Sequence, residues 1–230
     1  MSANAPAAKP PVVLVESPAE GVRLLRINRP EARNALNMEV RIELARLITA
    51  FNADPEVRSI ILAGDAKSFA AGADIKERAQ IGIVGKMQSD LDKHKVSHTV
   101  STSAKPIIAA VRGYALGGGF ETALMCDIIV AGESAQFGLP ELKLGVIPGS
   151  GGTQRFARGA GKHRALYHLL TATFMSAREA LEMGVASVVV PDAEVEATAV
   201  VVAQKIAALA PLAVQQAKDV LLRGLDAPLE

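Results

Sequence analysis

Two glutamates stand in settings where carboxylates can perform acid–base chemistry. Glu121 follows the glycine-rich run 115–120, and Glu141 follows Pro140. A pair of carboxylates beside backbone N–H donors can deprotonate a water molecule and deliver a proton, as the addition of water to a conjugated double bond requires. Either glutamate alone is equally well explained as a solvated charge near a helix N-terminus. The combination of both with glycine turns makes them candidates for catalysis.

Two segments of small residues can supply the backbone donors. One is Ser-Phe-Ala-Ala-Gly-Ala-Asp at 68–74 and the other is Gly-Tyr-Ala-Leu-Gly-Gly-Gly at 113–119, and each follows a predicted buried strand. Small side chains let a ligand approach the main chain, and free amides at a helix start can face an oxyanion or a phosphate. Each segment alone could be a tight packing turn. Behind two adjacent parallel strands, the two together predict an oxyanion hole for a thioester carbonyl or its enolate.

The sequence gives little support for a nucleotide-binding, serine hydrolase, metal or disulfide site. Segment 113–119 matches neither Gly-x-Gly-x-x-Gly nor a Walker phosphate loop, and the glycine-dense segment 144–155 contains no Gly-x-Ser-x-Gly elbow. His94 and His98 have no third ligand nearby, so no metal site is predicted. The single cysteine, Cys126, lies in an apolar stretch and is predicted to be a core residue; one thiol excludes an internal disulfide and fits a reducing compartment.

The elements that must position these residues alternate between strands and helices. Apolar runs predict buried strands within 59–64, 106–111 and 127–132, after a hairpin of strands 12–15 and 22–28. Apolar periodicity predicts a helix over 38–51 with Asn37 as its N-cap, a helix within 86–101 and a short helix over 118–125, while 67–74 is predicted as a loop. The first two thirds of the chain are therefore predicted to be an α/β layered domain.

The last third is predicted to be mostly helical. Ser176 and Glu179 form a capping-box signature for a helix that runs to Met183 and is terminated by Gly184, and residues 188–190 are predicted as a short strand. Asp192 is predicted to cap a long helix to about residue 210, and Pro211 to open another.

Composition narrows the class of protein. Half of the 230 residues are hydrophobic but only 3% are aromatic, so the core must be built from Ala, Val, Ile and Leu. The net charge of +1 predicts no broad attraction to nucleic acid or to an anionic membrane. Residues 1–11 are predicted to be a disordered leader without a signal peptide, and no apolar stretch reaches the roughly 20 residues that span a bilayer. The expected location is cytoplasmic.

A series of motifs, in order along the chain, resembles one known family. They are Asn-Arg-Pro-Glu-Ala-Arg-Asn-Ala-Leu at 28–36, Phe-Ala-Ala-Gly-Ala-Asp-Ile at 69–75, the segment 113–121, Cys-Asp at 126–127, Ala-Gln-Phe-Gly at 135–138, Pro-Glu at 140–141 and the segment 145–155. From about Val12 to the C-terminus, this combination resembles the crotonase superfamily, and within it the enoyl-CoA hydratases.

The resemblance implies a site, residue by residue. The amides of Ala73 and Gly118 would polarise the thioester carbonyl, and the backbone of Gly149 would help to hold the catalytic water. Glu121 would deprotonate that water for attack at Cβ and Glu141 would protonate Cα; because both share one water, the pair is better defined than the division of roles. Substrate and coenzyme A contacts would come from Arg33, Ala35, Ala71, Gly72, Asp74, Ile75, Lys76, Tyr114, Leu116, Gly117, Pro140 and Leu144. Among these, Ala71 would border the adenine, and Lys76 and Arg33 would reach the phosphates or the pantetheine arm.

The resemblance also implies a fold and an assembly. A right-handed spiral of repeated ββα units would occupy 12–190, followed by a helical C-terminal region over 191–230 that packs between subunits of a homotrimer or a dimer of trimers. Relatives normally continue with a further helical segment that helps to cover the acyl-CoA site, so the region 191–230 is expected to be truncated.

The implied activity is reversible hydration of a trans-2-enoyl-CoA to the 3-hydroxyacyl-CoA in fatty-acid or related acyl-CoA degradation, without a metal or redox cofactor. Double-bond isomerisation or another acyl-CoA lyase activity is a related alternative, although both carboxylates favour the hydratase. An alternative of a different class is a catalytically weak acyl-CoA-binding protein. Acyl specificity depends on the segment 77–100, which carries no motif.

Overall fold

The structure, a computed structural model, describes residues 10–79, 85, 92, 94, 96–225 and 227. The strands are β1 Val13–Ala19, β2 Val22–Ile27, β3 Ser59–Ala63, β4 Ser68–Ala70, β5 Ile107–Val111, β6 Tyr114–Leu116, β7 Ile128–Gly132, β8 Gln136–Gly138, β9 Met175–Ser176 and β10 Val188–Val190. The helices are α1 Met38–Ala53, α2 Ile75–Ala79, α3 Gly118–Met125, α4 Gly152–Ala160, α5 Lys162–Thr171, α6 Ala177–Glu182, α7 Val195–Ala207 and α8 Pro211–Gly224. Residues 96–101 are also helical, while much of the predicted helix within 86–101 lies outside the described residues.

Two sheets form the framework of the fold. The larger has six strands in the order β1-β2-β3-β5-β7-β10, in which β1 and β2 are antiparallel and the remaining pairs are parallel. The smaller has the order β4-β6-β8-β9, with parallel pairing from β4 to β8. Three times in succession the chain runs through a strand of the large sheet, a strand of the small sheet and a helical segment. This repetition is the spiral of ββα units that the resemblance implies.

The central strands are buried on both faces because apolar side chains point alternately to two cores. Ile60 and Leu62 of β3 belong to the larger core, which lies between the two sheets and extends to α1 and α3. Ile61 and Ala63 belong to the smaller core on the opposite face, which α7 covers with Ala199 and other small residues. The continuous apolar runs in the sequence therefore correspond to strands without a solvent face.

Helix α7 is also attached to the large sheet by an ion network. Arg26 on β2 donates hydrogen bonds to both carboxylate oxygens of Glu196, at 2.8 and 3.0 Å. Arg112 donates to the same carboxylate. These charged contacts fix α7 across strands that come from the first half of the chain.

Two of the predicted helix starts are confirmed in atomic detail. Asn37 caps α1, with its side chain accepting a hydrogen bond from the amide of Val40. Ser176 and Glu179 form the complete capping box of α6. The prediction for Asp192 is wrong: it begins a short 3-10 helix, and its Oδ1 accepts a hydrogen bond from the Ser134 amide at 3.0 Å.

The predicted loop over 67–74 is also partly wrong, because it contains β4. This strand and its neighbours β6, β8 and β9 have two or three residues each, too few for an alternating pattern to be recognised. Among the described residues no single helix is long and apolar enough to cross a membrane; two consecutive helical segments, Asp192–Ala207 and Pro211–Gly224, satisfy that test only as a pair bent by 107°.

Candidate active site

Glu121 lies on the first turn of α3, and the start of that helix depends on glycine. Gly117, the residue before the helix, has φ 50° and ψ −124°, a conformation that glycine adopts far more readily than other residues. A Cβ on Gly119 would lie 2.0 Å from the carbonyl oxygen of Ala70. The glycine run thus allows the helix to begin directly against β4.

The carboxylate of Glu121 is buried and held by a distant loop. The residue is 2% exposed, and its Oε1 accepts hydrogen bonds from the amides of Ser150 and Gly152, at 2.5 and 2.9 Å. Arg155 fixes this loop by donating from Nη1 to the Ser150 carbonyl at 2.8 Å. Burial lowers the pKa of Arg155, while the nearby charge of Glu121 acts in the opposite direction. Sequence reasoning identified Glu121 but not these amides, because the contacts join segments far apart in the chain.

Glu141 lies close to the same helix start. It lies in the 3-10 helix Pro140–Leu144, and its Oε1 is 2.8 Å from the position that a Cβ on Gly117 would occupy. Its Oε2 is buried. Both predicted glutamates therefore lie at or near the N-terminal turn of α3.

The amides of Ala73 and Gly118 lie next to each other. The nitrogen of Ala73 is 3.5 Å from the position that a Cβ on Gly118 would occupy. The loop that carries Ala73 is fixed by Leu36, which donates to the Gly72 carbonyl at 2.8 Å and accepts from the Asp74 amide. Among the described residues, neither the Ala73 amide nor the Gly118 amide donates a hydrogen bond to the protein. Two adjacent, available N–H groups are what a thioester oxygen needs.

Asp74 already has intramolecular partners. Its carboxylate accepts hydrogen bonds from the amides of Lys76 and Glu77 and from Nη2 of Arg29, the last at 2.9 Å. Burial opposes ionisation of this carboxyl, but the hydrogen bonds from Glu77 and Arg29 prevail and lower its pKa. The side chain of Asp74 therefore fixes the loop and the start of α2.

The remaining predicted substrate contacts lie on segments around these amides. Arg33 is exposed, and its carbonyl accepts a hydrogen bond from the Ala71 amide at 3.1 Å, which joins segment 33–35 to segment 71–76. Exposed positions are Ile75, Lys76, Tyr114, Leu144 and Gly149; partly buried positions are Ala35, Ala71, Leu116 and Pro140; buried positions are Gly72 and Gly117. Their contacts with a coenzyme remain predictions.

The described residues provide no candidate metal site and no candidate cysteine nucleophile. They contain no group of three or more His, Cys, Asp or Glu side chains that could hold a metal ion. Burial raises the pKa of the Cys126 thiol, whose Sγ lies 3.4 Å from the Thr122 carbonyl. A thiol in this state is a poor nucleophile at neutral pH. Cys126 is partly buried and packs against the core, whereas the sequence predicted a residue within it.

Comparison with known proteins identifies the family. The family model described as enoyl-CoA hydratase/isomerase matches residues 17–230. A probable enoyl-CoA hydratase from Rhizobium meliloti is 46% identical over 94% of this chain and 83% of its own length. The crystal structure of an enoyl-CoA hydratase from Bacillus anthracis matches with a TM-score of 0.92 at 37% identity, covering 95% of this chain and 85% of that one.

A structure of a monofunctional enoyl-CoA isomerase from Mycobacterium smegmatis also matches, with a TM-score of 0.82 at 29% identity over 95% of both chains. The fold and family that the motifs implied are thus confirmed by sequence and by structure. The chain belongs to the enoyl-CoA hydratase/isomerase family.

Proposed function

We propose that this protein is an enoyl-CoA hydratase, which adds water reversibly and syn to a trans-2-enoyl-CoA to give the 3-hydroxyacyl-CoA. The observation that supports this most is the location of both Glu121 and Glu141 near the start of α3, together with the amides of Ala73 and Gly118. Similar proteins named enoyl-CoA hydratase also support this proposal. We propose the following catalytic roles.

The amides of Ala73 and Gly118 donate hydrogen bonds to the thioester oxygen. This withdraws electrons from the conjugated double bond and makes Cβ electrophilic. Negative charge builds up on the oxygen as the enolate forms, so these donors stabilise the transition state more than the bound substrate.

The two carboxylates supply the base and the acid. Glu121 orients a water molecule together with the Gly149 backbone and takes one of its protons while the water oxygen bonds to Cβ. Glu141 gives a proton to Cα, and the double-bond electrons form the new C–H bond. The acids share one water, so the pH profile reports apparent pKa values of the pair.

The reaction needs neither a metal nor a redox cofactor, because the carboxylates supply acid and base and water adds without net oxidation or reduction. Coenzyme A enters as part of the substrate. We propose that the protein acts in the cytoplasm within fatty-acid or related acyl-CoA degradation.

We further propose a homotrimer or a dimer of trimers, with no nucleic acid or membrane partner. The support is helix α8, which has no buried residue and exposes apolar side chains to solvent. They are Leu212, Val220, Leu221 and Leu222, and Leu225 directly after the helix is exposed as well. A second subunit on this surface would remove them from water.

A Glu141→Gln variant tests the proposed function directly. We expect hydration of crotonyl-CoA, followed by the loss of ultraviolet absorbance of the conjugated thioester, to disappear while the affinity for a non-reactive coenzyme A analogue is retained. Glu182→Gln is the matched control, because that side chain is 60% exposed on a helix surface. Near-normal turnover in Glu141→Gln would refute the assignment.

Double-bond isomerisation is the second candidate, because the similar structure from M. smegmatis carries that activity in its name. An isomerase converts a trans-3-enoyl-CoA to the trans-2 isomer without consuming water. Assays with both substrates distinguish the two reactions. Binding of both without turnover would instead indicate the catalytically weak acyl-CoA-binding protein.

A further inference from the structure

Helix α1 carries a buried arginine. Arg41 is only 6% exposed, and its neighbours on the inner face of the helix, Val40 and Leu44, are core residues. A guanidinium is charged at all physiological pH values, and its removal from water is costly. Arg41 therefore places a permanent positive charge on the inner face of α1.

The guanidinium of Arg41 lies beside the pair of amides at the start of α3. Its Nη2 is 3.0 Å from the position that a Cβ on Gly118 would occupy, and the nitrogen of Ala73 is 3.5 Å from the same position. A side chain at position 118 would come into tight contact with the guanidinium. The cationic guanidinium of Arg41 and the amide nitrogen of Ala73 therefore both lie close to Gly118.

We propose that Arg41 is a cationic part of the oxyanion site, where its positive charge stabilises the negative charge that develops on the thioester oxygen. The inference rests on the proposed hydratase function and extends it, since two backbone amides provide hydrogen bonds but no net charge. A fixed positive charge in a site with little water acts most strongly on the enolate-like transition state. Arg41 should therefore affect kcat more than the binding of coenzyme A.

Steady-state kinetics of Arg41→Met and Arg41→Lys with crotonyl-CoA provide the first test. Loss of one oxyanion donor typically lowers kcat by about 10²- to 10³-fold, and we expect Arg41→Met to fall in this range with KM changed by no more than about threefold. Arg41→Lys should recover part of the loss because it keeps the charge. The matched control is Arg46→Met on the same helix, since Arg46 is 62% exposed and forms a surface ion pair with Glu43.

A spectroscopic measurement separates this role from a purely structural one. Cinnamoyl-CoA is a conjugated thioester, and polarisation of its carbonyl in the site should shift its absorption to longer wavelength. We expect a clear red shift with the wild type, a smaller shift per bound ligand with Arg41→Met, and an unchanged shift with Arg46→Met. The melting temperature of each variant should be recorded in the same buffer.

The possible outcomes are distinct. If Arg41→Met keeps the wild-type kcat and red shift, the inference is wrong. If it is less stable and less active but the red shift per bound ligand is unchanged, Arg41 has only a structural role and the inference is again wrong. If the wild type polarises cinnamoyl-CoA but hydrates no enoyl-CoA, the proposed function fails, and the effect of Arg41 on the red shift still decides the inference.

Discussion

The carboxylate of Glu121 accepts a hydrogen bond from the amide of Gly152 at 2.9 Å, although the two residues are 31 positions apart. The same oxygen accepts a second hydrogen bond from the Ser150 amide. Hydrogen bonds to a charged acceptor are stronger than neutral ones, so two of them fix the orientation of the carboxylate before substrate arrives. The proposed base is thus positioned by the glycine loop that follows Glu141 in the chain.

Replacement of Glu121 by glutamine should impair both catalysis and stability. The amide removes the base, and one of its two terminal groups becomes a donor near amides that are themselves donors. We expect kcat for crotonyl-CoA to fall by about 10²- to 10⁴-fold, with a measurable decrease in the free energy of unfolding in urea. Glu56→Gln, at an exposed position, is the control and should match the wild type in both measurements. Full activity in Glu121→Gln would contradict the assigned role.

Gly119→Ala should destabilise the protein and displace α3. The new Cβ would lie 2.0 Å from the Ala70 carbonyl oxygen, which is backbone and cannot rotate away. Overpacking typically costs about 1–3 kcal/mol, and we expect at least the upper end of this range together with strongly reduced turnover. Gly224→Ala is the control, because its Cβ would meet nothing within 4 Å near the end of α8. That variant should be neutral or more stable by up to about 1 kcal/mol.

The ion network of Glu196 should make stability depend on pH in the acid range. The hydrogen bond from Arg26 is the largest cause of the lowered pKa of Glu196, and burial opposes it. A carboxyl whose pKa is lower in the folded state contributes stability above its unfolded value, near 4.5, and loses that contribution as pH falls through the folded value. In urea unfolding, Glu196→Gln should therefore have a lower free energy of unfolding than the wild type near neutral pH. This difference should become smaller below about pH 4.

Glu43 provides a control for this experiment. Its pKa is also lowered by a hydrogen bond from an arginine, Arg46, but the pair lies on the surface of α1. Exposed pairs contribute about 0–1 kcal/mol, so Glu43→Gln should change stability little at any pH. If the loss of stability in Glu196→Gln did not depend on pH, Glu196 would stabilise the fold through packing and not through its charge.

Cys126 should be nearly inert in the folded protein. Burial raises the pKa of its thiol, with a further increase from the neighbouring charge of Asp127, so little thiolate forms at pH 8. We expect negligible alkylation by iodoacetamide over an hour in native buffer and complete alkylation in guanidinium chloride, quantified by mass spectrometry. Inhibition of hydration that parallels rapid alkylation would overturn this prediction.

The longer strands and helices were predictable from the sequence because each has a continuous apolar run or a recognisable helix-capping signal. The apolar runs at 59–64 and 106–111 correspond to β3 and β5, and the capping signals at Asn37 and Ser176 start helices where expected. The candidate glutamates and both glycine turns could be selected because acids and small residues in those positions are unusual, and their catalytic roles stay a prediction. The motifs also identified the family, which periodicity alone could not do.

What could not be predicted depends on contacts between distant segments. The short strands of the second sheet have too few residues for a pattern, and they form because each continues the pairing of its neighbour. The amides that hold Glu121 and the position of Arg41 beside Gly118 become visible only when separate segments meet. One signal for Arg41 was available, since it stands three residues before Leu44 on the apolar side of α1.

Helix α7, which covers one face of the large sheet, is synthesised long after the strands that it covers. Strands β2, β3 and β5 are complete by residue 111, whereas the helix that covers their second face ends at Ala207. A nascent chain must therefore carry an open apolar sheet surface for almost a hundred further residues, and partly folded chains with such surfaces aggregate readily. Until α7 has left the ribosome, this face of the sheet is therefore a surface on which partly folded chains can associate.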